Sequence, residues 1–228
     1  MAYFAMPTKT WLPLTPNRFN VIIRIDKPNW SQPSSKRKGS LKHFGVQHRT
    51  KLSHGRRKMN LYIIRHAIAA QAGTSGREED DSQRPLTDKG RKKMRKIAQG
   101  LRELEAQIDL ILTSPYLRAA QTAKILAKKF ELAKDKVIFT TNLIPTGYPD
   151  QLVEEINNGY EEIENIALVG HEPSLSNLVS MLVSGDPTLS VILKKGGVCR
   201  LTLDKLQYGR CARLDWLLSP AQLAEIGA

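Results

Sequence analysis

The stretch Leu61-Tyr62-Ile63-Ile64-Arg65-His66-Ala67 constrains this chain more than any other. Four apolar residues, two of them β-branched, run without a break into an Arg-His pair and then into small residues. An unbroken apolar run of this length predicts a strand buried on both faces, as in a parallel sheet. Arg65 and His66 then emerge at the carboxyl end of that strand. In open α/β sheets this is where ligand crevices form.

The same pattern returns twice. Ile108-Asp109-Leu110-Ile111-Leu112-Thr113 reads as a second buried strand ending at Ser114-Pro115, and Asn165–Gly170 as a third ending at His171-Glu172-Pro173. Helical spacing fills the intervals. Thr87 is a good N-cap for a helix over 88–105, with Met94, Ile97, Leu101 and Leu104 on one face. Leu117–Phe130 carries small residues that allow close packing on a sheet. Further helices are expected after Asp150, which caps one running to about Asn158, and over 175–183, capped by Ser174. Lys136–Thr140 reads as a short strand, and Val198–Leu203 with Ala212–Leu218 as an antiparallel edge pair. Ser219-Pro220 opens a terminal helix. The expected fold is α/β: a three-layer α/β/α sandwich around a mostly parallel sheet, within residues 59–228.

Charge divides the chain unevenly. Residues 1–58 hold 13 Lys and Arg against one acid, Asp26, whereas residues 59–228 hold 22 against 21. The net charge of +13 therefore belongs to the first quarter. That quarter has frequent prolines, the run Ser34–Ser40 and only one strand-like stretch, 20–25, so it is expected to be a disordered basic extension. A phosphate-binding tail and an organelle transit segment are competing readings. Met59 stands where a compact domain would begin, which favours a tail outside the working protein. The acids Glu78-Glu79-Asp80-Asp81 read as a solvated loop, and Arg91, Lys92, Lys93, Arg95 and Lys96 as a solvated helix face that can attract an acidic protein. Cys199 and Cys211 lack metal-like spacing and are expected to be buried thiols in a reducing compartment, the cytoplasm. No apolar run approaches the roughly 20 residues of a membrane span.

Taken one at a time, the polar residues at the strand ends have ordinary explanations. A histidine after a strand is commonly a hydrogen-bonded surface residue, and Glu172 in a first helical turn suits the helix dipole. Joint placement changes the odds. Arg65, His66, Arg118 and His171 all fall at strand ends of one sense, a setting suited to a dianionic phosphoryl group. A neutral imidazole there can attack phosphorus while its neighbours hold the oxygens. Fixed cations already fill such a pocket, so no metal or cofactor is expected.

These segments resemble motifs of the histidine phosphatase superfamily. Leu61–Ala67 resembles its Arg-His signature, Ser114-Pro115-Tyr116-Leu117-Arg118-Ala119-Ala120-Gln121-Thr122-Ala123 its second motif, and Val169-Gly170-His171 its third. Arg84-Pro85-Leu86-Thr87-Asp88-Lys89-Gly90 and the short length point to SixA-type phosphohistidine phosphatases. The resemblance covers about 59–219 and implies a phosphoglycerate mutase-like fold. It implies that His66 is the nucleophile and that Arg65, Arg118 and His171 bind phosphate. Ala67 stands where many members have Gly. The Glu that mutases carry has no clear equivalent between Leu143 and Glu155. Glu172 occupies the place of the Asp donor of the acid-phosphatase branch, which makes it a candidate proton donor beside its structural role.

The motifs enclose no insertion long enough for a lid domain, so the expected substrate is a phosphohistidine presented by a phosphotransfer protein, such as an HPt-like domain. A small-molecule phosphate-monoester phosphatase is the alternative within catalysis. A non-catalytic nucleic-acid or scaffold protein using the basic tail is the alternative outside it, with nucleic acid and membrane both disfavoured as partners.

Overall fold

The computed structural model describes residues 58–71 and 80–228, all of which belong to one compact unit, Leu52–Ala228. The basic extension up to residue 57, including 20–25, and the loop acids Glu78 and Glu79 lie outside the described residues. Along the chain come β1 (Met59–Arg65), α1 (Asp88–Glu103), β2 (Leu110–Thr113), α2 (Leu117–Lys129), β3 (Val137–Phe139) and α3 (Pro149–Gly159). They are followed by β4 (Asn165–Gly170), α4 (Ser174–Ser184), β5 (Val198–Leu203), β6 (Ala212–Leu218) and α5 (Pro220–Ile226). The strands form one sheet in the order β3-β2-β4-β1-β5-β6. The first four are parallel, and β5 and β6 run antiparallel at the other edge.

Alternation along the strands explains the continuous apolar runs. Leu61 and Ile63 of β1, Leu110 and Leu112 of β2, and Ile166 and Leu168 of β4 join one core with residues of α3 and α4. Their neighbours Tyr62, Ile64, Ile111, Ala167 and Val169 point through the other face, into a core with α1, α2 and α5. A strand covered by helices on both sides has no face for polar residues. Each fully buried Leu or Ile contributes about 1.5–3 kcal/mol.

The loop after β1 is tied down by the Arg84–Gly90 motif. Pro85 O accepts from Ala70 N at 2.9 Å, Ile68 O accepts from Thr87 N at 3.0 Å, and Arg84 Nη1 donates to Ala70 O at 3.1 Å. Thr87 caps α1 as expected, its hydroxyl accepting from Gly90 N at 3.0 Å. Gly90 is required by this close approach, because a Cβ there would lie 2.1 Å from Ile68 O. Leu86 N donates to Gln121 Oε1 at 2.8 Å, which fastens the motif to α2.

Local expectations are corrected in several places. Pro149, whose ring presets a helical first turn, begins α3 one residue before Asp150, and Tyr148 occupies the cap position. Pro173 rather than Ser174 precedes α4, without a side-chain cap. Of the expected edge pair, only β6 is an edge, because β5 is hydrogen-bonded to β1. Cys199 is fully buried in β5 and its thiol is pushed up to about 12 by burial. Cys211 lies just outside β6, is half-buried and donates to Gln207 O. Both thiols are free.

Candidate active site

Register brings the three strand ends level. Arg65 pairs with Gly170 and Thr113 with Val169, so the residues that follow, His66, Ser114 and His171, leave the sheet side by side. His66 N donates to Gly170 O at 3.1 Å and Ser114 N to Val169 O at 3.0 Å, extending both ladders by one step. Arg118 reaches the same place from the first turn of α2. The four residues named from the strand ends are thus brought together around one cavity of about 300 Å³. Glu172, the fifth, also lines it.

His66 is held in a single tautomer. Its Nδ1 lies 2.7 Å from Ala67 O, and a carbonyl can only accept, so Nδ1 carries the hydrogen. Nε2 therefore carries the lone pair, which accepts from Arg118 Nε at 3.3 Å. The His171 ring lies 5.0 Å from that of His66, with its Nε2 2.9 Å from Ser114 Oγ. Tyr116 meets His171 edge-on at 5.1 Å and lies beneath the Arg118 guanidinium at 5.0 Å. Both imidazoles are held neutral. Burial lowers His66 to about 4, with the Ala67 carbonyl opposing and Arg118, Arg65 and Lys195 adding to the shift. Burial lowers His171 to about 3, assisted by His66 and Arg118. Desolvation is the largest cause in both, and the nearby arginines add to it.

Three residues that line the cavity hold buried nitrogens without a hydrogen-bond partner. Arg65 Nη1 donates to Leu193 O at 2.9 Å, but its Nε has no partner. Arg84 Nε and His171 Nδ1 are likewise buried and unpartnered. Leaving such groups unsatisfied costs about 1–3 kcal/mol each, more for charged ones. A ligand that accepts from all of them recovers that cost.

Asp81 is exposed, as the reading of the acidic run as a solvated loop expects, yet it also engages two arginines of the site. Its carboxylate accepts from Arg118 Nη2 at 2.8 Å and pairs with Arg84 Nη2 at 2.5 Å, while its carbonyl accepts from Arg118 Nη1 at 2.5 Å. Burial raises the Asp81 carboxyl, yet the Arg118 and Arg84 contacts outweigh it and hold it below its ordinary value. Glu172 keeps a structural contact, its Oε2 accepting from Ser176 Oγ at 2.5 Å, while Oε1 is buried without a partner. Between Leu143 and Glu155, Pro145 lines the cavity. Glu155 is instead engaged by Thr140 and Asn142, at 2.7 and 2.9 Å.

The segment 185–197, between α4 and β5, forms a wall of the site. Gly196, at φ +82°, donates its N–H to Arg65 O and His66 O, at 3.0 and 3.1 Å, a backbone shape that favours glycine. Lys195 beside it lines the cavity. Sequence reasoning passed over Lys195 and Asp81. The available signals were a lysine next to a Gly-Gly pair and an acid three residues before Arg84. Among the described residues, no group of three or more His, Cys, Asp or Glu is placed to hold a metal ion, and no helix is long and apolar enough to cross a membrane.

Known proteins share this architecture. The model of the histidine phosphatase superfamily, branch 1, matches residues 61–144. An uncharacterized protein of Picosynechococcus is 35% identical over 144 residues, covering 63% of this chain and 84% of that protein. The phosphohistidine phosphatase SixA of Escherichia coli is 27% identical over 168 residues, covering 72% of this chain and 96% of that one. A structure of the protein histidine phosphatase SixA complexed with tungstate superposes with a TM-score of 0.63 at 26% identity, over 72% of this chain and 99% of that chain. With its sheet order, its strand-end cluster and these relatives in agreement, the chain belongs to the histidine phosphatase superfamily and is a SixA-type phosphatase.

Proposed function

We propose that this phosphatase removes the phosphoryl group from a phosphohistidine carried by a phosphotransfer or signalling protein, through a phosphorylated His66. The observation that carries the reading is the unprotonated Nε2 of His66, held by Arg118, beside buried polar atoms that lack partners. Arg65 Nε, Arg84 Nε and His171 Nδ1, with Arg118 and Lys195, supply what the phosphoryl oxygens of a dianion need. The relative complexed with tungstate accepts an oxyanion, which supports the same use here.

In the first step His66 Nε2 forms a bond to phosphorus as the bond from phosphorus to the substrate nitrogen breaks. Nδ1 keeps its hydrogen, donated to Ala67 O, so positive charge appears on the His66 ring and is steadied by that carbonyl. In the second step water attacks phosphorus and the Nε2–phosphorus bond breaks. Phosphate leaves, the water gives up one proton to solvent, and His66 returns neutral. The low basicity of His66 keeps its lone pair available at neutral pH.

The leaving group separates the candidate substrates. The far nitrogen of a phosphohistidine ring can take a proton from solvent before the bond to phosphorus breaks, so the ring leaves as neutral imidazole. An alkyl ester instead requires a strong acid at the leaving oxygen. Asp81 is unsuited to that task, because Arg118 and Arg84 hold it ionised. Glu172, with Oε1 unpartnered at the cavity, is the proposed proton donor where one is needed. The reaction is read as independent of metals, its positive charge coming from arginines. Two free thiols fit a reducing compartment such as the cytoplasm.

The test is to trap phosphate on the protein with a phosphohistidine substrate and locate it by mass spectrometry. It should lie on His66, and His66→Ala should accept none. Faster turnover of sugar phosphates than of phosphohistidine peptides would overturn the substrate assignment.

A further inference from the structure

We infer that the outer surface of α1 and α2 is a docking face for an acidic helical segment of the protein that presents the phosphohistidine; this rests on the function proposed above. The two helices carry eleven Lys and Arg against two acids, Asp88 and Glu103. Residues 59–228 as a whole are nearly neutral, so this charge is local. The balancing acids lie in another layer: residues 149–165 hold six Asp and Glu and no Lys or Arg. A charge separation of this size steers a partner of opposite sign toward one side of the molecule.

The basic face is shaped as well as charged. A groove of about 500 Å³ runs between α1 and α2, with Arg91, Arg95, Lys124, Lys128 and Lys129 around Ile125. None of these five cations makes an ion pair among the described residues. A second groove of about 570 Å³ lies between α2 and the edge strand β3, where Leu132, Val137 and Phe139 meet Lys124, Lys128 and Lys134. Phe139 is 58% exposed. Apolar floors edged by lysines suit an amphipathic helix with acidic flanks.

Position ties the face to the chemistry. α2 begins at the cavity with Arg118, and Gln121, which lines both grooves, holds the motif that contains Arg84. Lys128 lies ten residues beyond Arg118, about 15 Å along the helix. A partner helix with its phosphohistidine in the cavity spans that distance in about three turns. The chain's own first quarter, with 13 cations and one acid, has the wrong sign to occupy the face.

The test compares the full chain with its Arg95→Glu/Lys124→Glu/Lys128→Glu variant. One probe is an acidic histidine phosphotransfer domain phosphorylated with phosphoramidate. The other is a short peptide excised around its phosphohistidine. At low salt the variant should lose about tenfold in kcat/KM on the domain, through KM, and nothing on the peptide. Wild-type preference for the domain should fade as salt rises. A variant with Gln at the three positions should fall between the two. An unchanged kcat/KM on the domain, or an equal loss on both probes, overturns the docking face. So does a wild-type dimer that the charge reversal separates in sedimentation, or a single-stranded oligonucleotide that binds wild type and competes with the domain. Wild-type inactivity on both probes would instead remove the phosphohistidine reading, and the docking face with it.

Discussion

The two ends of β1, β2 and β4 solve opposite problems. Along their length these strands present Leu61–Ile64, Leu110–Leu112 and Ile166–Val169, fully enclosed by helices on both faces. One residue beyond the ladder, the same strands present His66, Ser114 and His171, almost as deeply buried but polar. The interior is satisfied by contact alone. The rim is satisfied only in part: Arg65 Nε and His171 Nδ1 are left without partners. Stability thus belongs to the middle of the sheet and binding capacity to its edge, a division expected where function works against packing.

Substitution at the rim should separate activity from stability most sharply. His66→Ala removes the lone pair that attacks phosphorus, and turnover should fall on the order of 10⁴-fold or more. Its melting temperature should stay level or rise, since a desolvated imidazole is lost from a buried site. A variant that loses activity because it unfolds would erase the distinction. The converse substitution lies three residues before His171. Leu168 is fully buried in β4, and Leu168→Ala should cost about 2–5 kcal/mol in denaturant unfolding. Near-normal kcat should persist at temperatures where the variant remains folded.

Proton linkage offers a third way to tell rim from interior. The native state holds His66 and His171 neutral down to about 4 and 3, whereas unfolded histidines take up protons below about 6.5. Between those limits the unfolded chain binds more protons, so stability falls as pH drops from 6.5 toward 4. Asp81 acts in a different window. Its folded value lies below 3.8, so its contribution is retained until the pH falls through that region. Unfolding of the His66→Asn/His171→Asn double variant should therefore depend less on pH between 6.5 and 4 than unfolding of the wild type. Equal slopes would show that the imidazoles are not protected by burial.

How much was legible in the sequence follows the same division. β1, β4, α1 and α2 announced themselves because continuous apolar runs and 3.6-residue spacing survive without knowledge of neighbours. Arg65, His66, Arg118 and His171 were legible because each sits at a predictable strand end or first helical turn. Asp81 was not, since its role depends on Arg118 being carried 37 positions along the chain to meet it. Lys195 and the Gly196 turn were hidden for the same reason: Gly196 reaches the carbonyls of Arg65 and His66 only after β5 has paired with β1. The start of α3 was misread locally, because a proline at the first helical position competed with the acid after it.

The smallest expected effect tests whether local capping holds the rim in place. Thr87 makes three bonds: its hydroxyl accepts from Gly90 N and donates to Ile68 O at 3.3 Å, and its own N–H donates to Ile68 O in the loop that follows His66 and Ala67. Thr87→Ala removes both hydroxyl bonds and retains the backbone one. The cap is worth about 1 kcal/mol, a shift of about 2–4 °C in melting temperature for a domain of this size. If capping only steadies α1, the loss should end there and kcat should be unchanged. Thr87→Ser should restore the stability, because serine offers the same oxygen to Gly90. A fall in kcat with Thr87→Ala, recovered by Thr87→Ser, would mean that the cap also sets the loop beyond β1 and with it the placement of His66. The rim would then depend on a helix start some twenty residues away, and its separation from the scaffold would be less complete than the burial pattern indicates.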